Sequence, residues 1–169
     1  MKRLLSLSFC ALALCLLVNF AASAQENCAC DSKKAKIGKI ELSQIIEGKE
    51  KMRDVGATKK ASADAPISVK PSGVEISEVK CPEDCVRRYD VEWTYTFTPD
   101  DKTVQPTTNS GNFQCNLNEK GECILQPMQI AALGTSGSLT ATCTLKVYCG
   151  EQLCANSPTK SVTVTIFKN

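Results

Sequence analysis

The chain has 169 residues, with 20 Lys and Arg, 18 Asp and Glu, and no histidine. A balance so close to neutral argues against nucleic acid as a partner, because such binding depends on a net positive field. The lack of histidine excludes Ser-His-Asp and Cys-His catalytic sites, as well as histidine-ligated zinc hydrolases.

The N-terminus has the three parts of a secretory signal peptide. Two basic residues follow Met1, an apolar run extends over residues 4–20, and the small residues 21–24 come next. The apolar run is short for a membrane-spanning helix, which needs roughly 20 residues. We therefore expect residues 1–24 to be removed as a signal peptide, leaving a secreted, periplasmic or cell-surface protein without a transmembrane anchor.

The predicted mature chain has no net charge and keeps nine of the 11 cysteines. Such a density in an exported chain indicates a disulfide framework. Nine is an odd number, so at least one thiol is free, bound to another molecule, or joined to a second copy in a disulfide-linked dimer. The nine are Cys28, Cys30, Cys81, Cys85, Cys115, Cys123, Cys143, Cys149 and Cys154.

Residues 25–66 are expected to form an N-terminal arm and a linker. Cys28 and Cys30 are too close together for an easy mutual bridge, given the Cα separation that a relaxed disulfide needs. We expect them to pin the arm to the domain or to a partner. The apolar spacing over 36–55 fits either a short helix or a loosely attached strand. The small polar residues of 56–66 are typical of a linker.

The second part of the chain has the period of two that is typical of half-buried strands. Apolar residues alternate with polar ones over 90–98, 138–149 and 160–167. The segment 113–125 is predicted to be a hairpin, because turn residues separate two short strands there. No helix-period segment separates these strands, which argues against a parallel α/β fold and favours an all-β sandwich over 67–169.

Trp93 and Cys143 both fall on the apolar faces of their predicted strands. Trp93 alternates with Val91, Tyr95 and Phe97, which favours a core position over a sugar-binding platform. Cys143 lies on a face made of apolar residues, and we expect it to be a buried and chemically quiet thiol.

Three strand segments resemble the immunoglobulin-like sandwich of bacterial surface proteins, including the PKD-type modules. These segments are 89–95, similar to a central strand with its core Trp, 137–147, similar to a penultimate strand, and 161–167, similar to a closing strand. The resemblance covers 67–169 and implies an all-β, immunoglobulin-like antiparallel β-sandwich, here with a short N-terminal arm and disulfide stabilisation. It also implies a cross-sheet bridge between Cys81 and Cys143.

The connectivity of the cysteines stays open at this point. Pairing by proximity joins residues that flank short turns: Cys81–Cys85, Cys115–Cys123 and Cys149–Cys154. The alternative, taken from the resemblance, is Cys81–Cys143 with Cys85 bonded elsewhere.

A zinc site is the alternative to disulfides. As reduced thiolates, four cysteines of the mature chain could hold the metal: Cys28, Cys30, Cys81 and Cys85. Cysteines of exported proteins usually oxidise, however, and a c-type haem would need a Cys-x-x-Cys-His motif that the chain lacks. We therefore predict no metal and no cofactor.

No group of residues indicates catalysis. Glu83–Asp84 and Asp100–Asp101 are acidic pairs in predicted turns, where solvated carboxylates are ordinary. The chain has no Gly-rich phosphate loop. The compact basic and aromatic cluster, Arg87–Tyr89, fits either contact with an anionic partner or a solvated strand edge that resists aggregation. We predict that the protein is not an enzyme.

We expect instead a secreted or surface-associated binding or structural module that makes protein–protein contacts in an extracellular assembly. Its partner would be another protein or a surface component. The first alternative is a disulfide-rich inhibitor or effector that acts through a loop closed by Cys149–Cys154. The second is a carbohydrate-binding module, which requires an exposed aromatic platform.

Overall fold

The structure, a computed structural model, describes residues 29–45, 53–113, 115–117 and 123–168. The predicted signal peptide and the predicted role of Cys28 lie outside these residues. Within them the protein is mostly β and has two main sheets, so the predicted all-β class is confirmed.

Twelve strands and one short helix lie in the described part of the chain. The strands are β1 Lys36–Gln44, β2 Arg53–Asp54, β3 Lys60–Ser62, β4 Ile67–Glu75, β5 Arg87–Pro99, β6 Thr107–Phe113, β7 Cys115–Leu117, β8 Cys123–Leu125, β9 Met128–Ile130, β10 Gly137–Cys149, β11 Gln152–Leu153 and β12 Thr159–Phe167. The helix α1 is Val55–Thr58, and the carboxylate of Asp54 caps it by accepting a hydrogen bond from the Ala57 amide.

The two main sheets differ in size. The smaller sheet has the strand order β2-β1-β4-β9, and all of its pairs are antiparallel. The larger sheet has the order β3-β12-β10-β5-β6, with β11 paired to the end of β10. Its pairs are antiparallel except for β3 with β12. Strands β7 and β8 form a separate antiparallel hairpin, as predicted for 113–125.

Strand β10 shows how the alternation in the sequence builds the core. Every second residue from Gly137 to Cys149 is buried, and the residues between them are more exposed. Buried side chains of both sheets, such as Leu42 in β1 and Leu145 in β10, belong to one hydrophobic cluster. Removing such a side chain from water contributes about 1.5–3 kcal/mol to folding. The pattern that identified the strands therefore also positions the core.

The predicted N-terminal arm is wrong for the residues that the structure describes. Strand β1 pairs with β4 from Lys36 to Gln44, and β3 pairs with β12. The segment is thus part of both sheets. The sequence of β1 shows no clean period of two because the alternation of buried and exposed residues breaks between Ile37 and Ile40. At this break Gly38 lies close to Gly73, which has a φ of 63°.

A buried amide ties the two sheets together at one end, which we call the Gln44 end. Gln44 is 1% exposed. Its Nε2 donates to the carbonyl oxygens of Ser62 and Ala65, at 2.9 and 2.8 Å, and its Oε1 accepts from the Ser62 amide at 2.8 Å. Because Gln44 ends β1 and Ser62 ends β3, these bonds join the smaller sheet to the larger one.

Candidate functional site

Two disulfides close the opposite end of the sheets, which we call the cystine end. They join Cys30 to Cys154 and Cys81 to Cys149, with Cα–Cα distances of 4.7 and 5.5 Å. Cys85 is disulfide-bonded as well. The Cys30–Cys154 bond confirms the prediction that Cys30 pins the N-terminal segment to the domain.

The pairing by proximity is wrong for Cys81–Cys85 and for Cys149–Cys154. The sulfurs of Cys149 and Cys154 lie 3.8 Å apart, yet each is bonded to a residue far away in sequence, at separations of 68 and 124. The reason is topological. The end of β10 lies beside the loop that precedes β5 and beside the N-terminal segment, where Asp31 forms a β-bridge with Ala155.

The alternative bridge Cys81–Cys143 is also wrong. Cys143 is a free thiol in the middle of β10 and is fully buried. Burial raises its pKa from 9.0 to about 11, because the interior disfavours the thiolate. The prediction of a buried, quiet thiol is thus confirmed. Cys81 instead reaches Cys149, at the end of the same strand.

The zinc alternative has no support among the described cysteines. The sulfurs of Cys30, Cys149 and Cys154 all lie within 4.8 Å of one another. All three belong to disulfides, and a disulfide sulfur does not offer the thiolate that zinc requires.

The backbones of β7 and β8 place Cys115 opposite Leu125, but the predicted Cys115–Cys123 bond and the disulfide-linked dimer stay predictions.

The basic residues of the predicted Arg87–Tyr89 cluster are engaged within the molecule. Arg87 donates to the carbonyl oxygens of Ser77 and Val79, at 3.0 and 2.8 Å, and so holds the loop before β5. Arg88 lies 4.2 Å from the centre of the Tyr148 ring. It also pairs with Asp90 and Glu151. These contacts favour a structural role over an anion site.

The acidic pair at 100–101 forms a turn, as predicted. The Asp101 carboxylate accepts hydrogen bonds from the amide and the hydroxyl of Thr103, at 2.8 and 2.7 Å. These bonds stabilise the charged form and lower the pKa of Asp101 below its ordinary value. The turn explains the acidic residue without a catalytic role.

Trp93 lies at the border of the core and is only partly buried, which corrects the prediction of a core position. Its ring is nearly parallel to that of Tyr95, at 6° and 6.1 Å between centroids, and we call this pair the aromatic shelf. The indole packs against the backbone of Gly111, where an added Cβ would lie 2.7 Å from Trp93 Cζ2. The Phe113 ring lies next to the indole, with 6.4 Å between the ring centroids.

Among the described residues, the main contacts between the two sheets lie to one side of the shelf. In the contacts between the sheets, β1 of the smaller sheet packs against β12 and β10 of the larger one. Trp93 and Tyr95 belong to β5, one strand further toward β6. Sequence analysis placed them on an inward face correctly but could not tell how far the second sheet extends over that face.

Strand β6 is the outer edge of the larger sheet beside this shelf. Four consecutive residues, Thr107–Ser110, are exposed, as is Asn112. The strand contains no charged residue over its seven positions. The other edge strands in the described ranges are short, with two residues in β2 and three each in β3 and β9. The stretches of β4 and β12 that β9 and β3 leave unpaired contain charged residues. Sequence analysis did not identify β6 as a strand apart from its last residue.

The outer face of the larger sheet carries rows of hydroxyl groups. Cross-strand hydrogen bonds join these residues at 2.8–3.1 Å: Thr96 with Thr108, Thr140 with Thr163, Thr142 with Ser161, and Thr144 with Thr159. Such pairs support the sheet by a few tenths of a kcal/mol up to about 1 kcal/mol each. The Thr96–Thr108 pair extends these rows to β6.

Comparisons with protein-family models, with curated proteins and with solved structures found no match for this chain. Among the residues that the structure describes, no helix is long and apolar enough to cross a membrane.

Proposed function

We propose that this protein is a secreted, periplasmic or cell-surface binding module with an immunoglobulin-like sandwich, and that it makes protein–protein contacts through the β5–β6 side of its larger sheet. The observation that carries the proposal is the open edge of β6 beside the partly buried aromatic shelf. The formed disulfides are compatible with an oxidising compartment outside the cytoplasm.

The edge supports binding because an unpaired strand presents a row of backbone donors and acceptors to another chain. Natural proteins usually protect such edges by making them short, charged or interrupted by proline. Strands β2, β3 and β9 are short, whereas β6 has seven uncharged residues without proline. An edge left open in this way favours a contact site.

The sheet that carries this edge is rigid, which lowers the ordering cost of binding. Strand β5 pairs with β10 over its full length, from Arg87 to Pro99, and with β6 from Val91 to Phe97. The disulfide from Cys149 fixes the end of β10 to the loop that precedes β5. A partner would meet a surface that is already formed.

Site-specific photo-crosslinking in the cells that produce the protein tests this proposal. A photoreactive residue in place of Asn109 on the β6 edge is expected to give covalent products that contain protein. The matched control carries the same residue in place of Ser138, which is exposed on the inner strand β10. If the two positions give the same products, or if neither gives any, the proposed contact side is wrong.

Carbohydrate binding is the second candidate, and the aromatic shelf favours it. Parallel, partly buried rings such as those of Trp93 and Tyr95 offer an apolar surface on which a sugar ring can pack. In a retention assay on insoluble polysaccharides, Trp93→Ala is expected to abolish retention, whereas Tyr148→Ala retains it. Equal retention of both variants would count against this candidate.

The inhibitor alternative depended on a loop closed by a Cys149–Cys154 disulfide. Cys149 and Cys154 do not bond to each other. The β11 tip between them is held from two directions, by Cys30 and by Cys81. We therefore do not develop the inhibitor hypothesis.

A further inference from the structure

We infer that the partner of the β6 edge is a second copy of this chain, with β6 pairing antiparallel to β6 of the other copy about a two-fold axis. This inference rests on the proposed function and names the partner of the same site. A two-fold axis normal to the sheet would continue the larger sheet from one copy into the next, with equivalent faces on the same side.

The first argument is charge. A strand that pairs with itself places its own residues opposite each other, so any charged residue near the axis meets its like. Strand β6 reads Thr-Thr-Asn-Ser-Gly-Asn-Phe and has no charged side chain. The neighbouring strand β5, by contrast, carries four charged residues, which are Arg87, Arg88, Asp90 and Glu92. Strand β6 thus presents no charged side chain at the edge of the sheet.

The second argument is the fit of side chains when the axis passes beside Ser110. Asn109 then lies opposite Gly111 of the other copy, and Thr107 lies opposite Phe113. Gly111 is thus matched with the larger Asn109. The aromatic Phe113 is matched with the β-branched Thr107, which is a favourable cross-strand pair. All four belong to the face that carries the aromatic shelf.

The third argument is the shelf itself. Trp93 and Tyr95 are only partly buried, since β1 of the smaller sheet packs against β12 and β10. In the paired arrangement the shelves of both copies would lie on the same side of the joined sheet, separated by the two β6 strands. Asn109 of the other copy would lie beside Gly111 and the indole that packs on this glycine, and so would cover part of the shelf.

The fourth argument is continuity of the hydroxyl rows. Thr108 shares a hydrogen bond with Thr96 on the outer face, and the same row continues through Thr140 and Thr163. Pairing at β6 would place Thr108 opposite Asn112 of the other copy and extend this polar face without a charge or an apolar break. Both faces of the joined sheet would therefore keep their character across the axis.

Sedimentation equilibrium of the purified exported protein tests the inference. The wild type is expected to form a reversible dimer. Ser110→Lys and Ser110→Glu are each expected to weaken it at least about fivefold, because like charges then meet near the axis. An equimolar mixture of the two variants is expected to recover dimers, since opposite charges now meet. A wild type that remains monomeric at the highest soluble concentration would overturn the inference.

The control is Ser138→Lys, which makes the same change at an exposed position of β10. It is expected to leave the dimer unchanged. If it weakens the dimer as much as Ser110→Lys does, the dimer does not form through β6 and the inference is wrong. Circular dichroism of all three variants excludes unfolding as the cause.

The crosslinking products at position 109 separate this inference from the proposed function. A product with twice the mass of the mature chain supports both. A product with a different protein supports the proposed function but overturns self-pairing, whereas a product with an oligosaccharide alone overturns both. No product at position 109, together with a monomer in sedimentation, would overturn both.

Discussion

The two ends of the paired sheets are held together by different kinds of bond. At the cystine end, covalent bonds join Cys30 to Cys154 and Cys81 to Cys149. At the Gln44 end, one amide side chain makes three hydrogen bonds, and the Ala63 amide donates to the Phe167 carbonyl at 2.8 Å.

The difference follows from the regularity of the chain at each end. Near the cystine end, residues 29–35 and 76–86 lie outside the main ladders, so few backbone bonds hold them. Near the Gln44 end, the strands continue almost to their turns, and a few added hydrogen bonds complete the closure. Covalent bonds are thus placed where the hydrogen-bond ladder is weakest.

The largest effect is expected from opening the cystine end. The double variant Cys81→Ala/Cys149→Ala is expected to lower the free energy of unfolding by about 4 kcal/mol, because the disulfide restrains a long loop in the unfolded chain. Urea unfolding measures this change. Cys143→Ala is the control and removes one buried sulfur, at a cost of about 1 kcal/mol. Equal losses in the two proteins would show that the covalent bond is not what holds this end.

The next effect is expected at the Gln44 end. Gln44→Leu leaves two carbonyl groups and one amide without their partner, so the free energy of unfolding is expected to fall by about 3 kcal/mol. The matched control is Gln129→Leu, because Gln129 is exposed on β9. A change within about 0.5 kcal/mol is expected there. If both variants unfold at the same urea concentration, the Gln44 end does not depend on this amide.

Close backbone contact at the Gln44 end gives a third prediction. At Gly137 an added Cβ would lie 2.4 Å from the carbonyl oxygen of Thr98, which cannot easily move. Gly137→Ala is therefore expected to cost about 2 kcal/mol in thermal or urea unfolding. At Gly111 an added Cβ would instead contact the Trp93 ring, which can move. Gly111→Ala is therefore expected to lower the free energy of unfolding by less than Gly137→Ala and to shift the Trp93 fluorescence. A reversed order of stability would contradict the packing described for both strands.

The smallest effect comes from Cys143, which lies between the two ends. Its pKa of about 11 in the native protein exceeds the ordinary value of 9.0, so the unfolded chain loses this proton first as the pH rises. Stability is therefore expected to fall between about pH 9 and pH 11, by about 1 kcal/mol at pH 10, and to be unaffected by this thiol at lower pH. Cys143→Ala is expected to abolish this part of the pH dependence, and an unchanged slope would contradict it.

Local patterns in the sequence were sufficient for the class of fold and for most of the strands. The alternation over 90–98, 138–149 and 160–167 predicted β5, β10 and β12, because a period of two follows from the geometry of a single strand. The same alternation identified Cys143 as buried. Strand β1 was missed as a regular strand, since the break near Gly38 hides its period. Strand β6 has almost no apolar residue, so no hydrophobic pattern could reveal it.

The sequence by itself thus determined an all-β chain with disulfides, because period and cysteine content are properties of neighbouring residues and of composition. Only the tertiary structure decided that Cys154 bonds to Cys30, 124 residues away, that Gln44 is buried, and that Trp93 lies at the border of the core. These facts depend on which distant segments meet and on how far one sheet overlaps the other. No local pattern encodes that overlap or the place of β6 at the edge of the larger sheet.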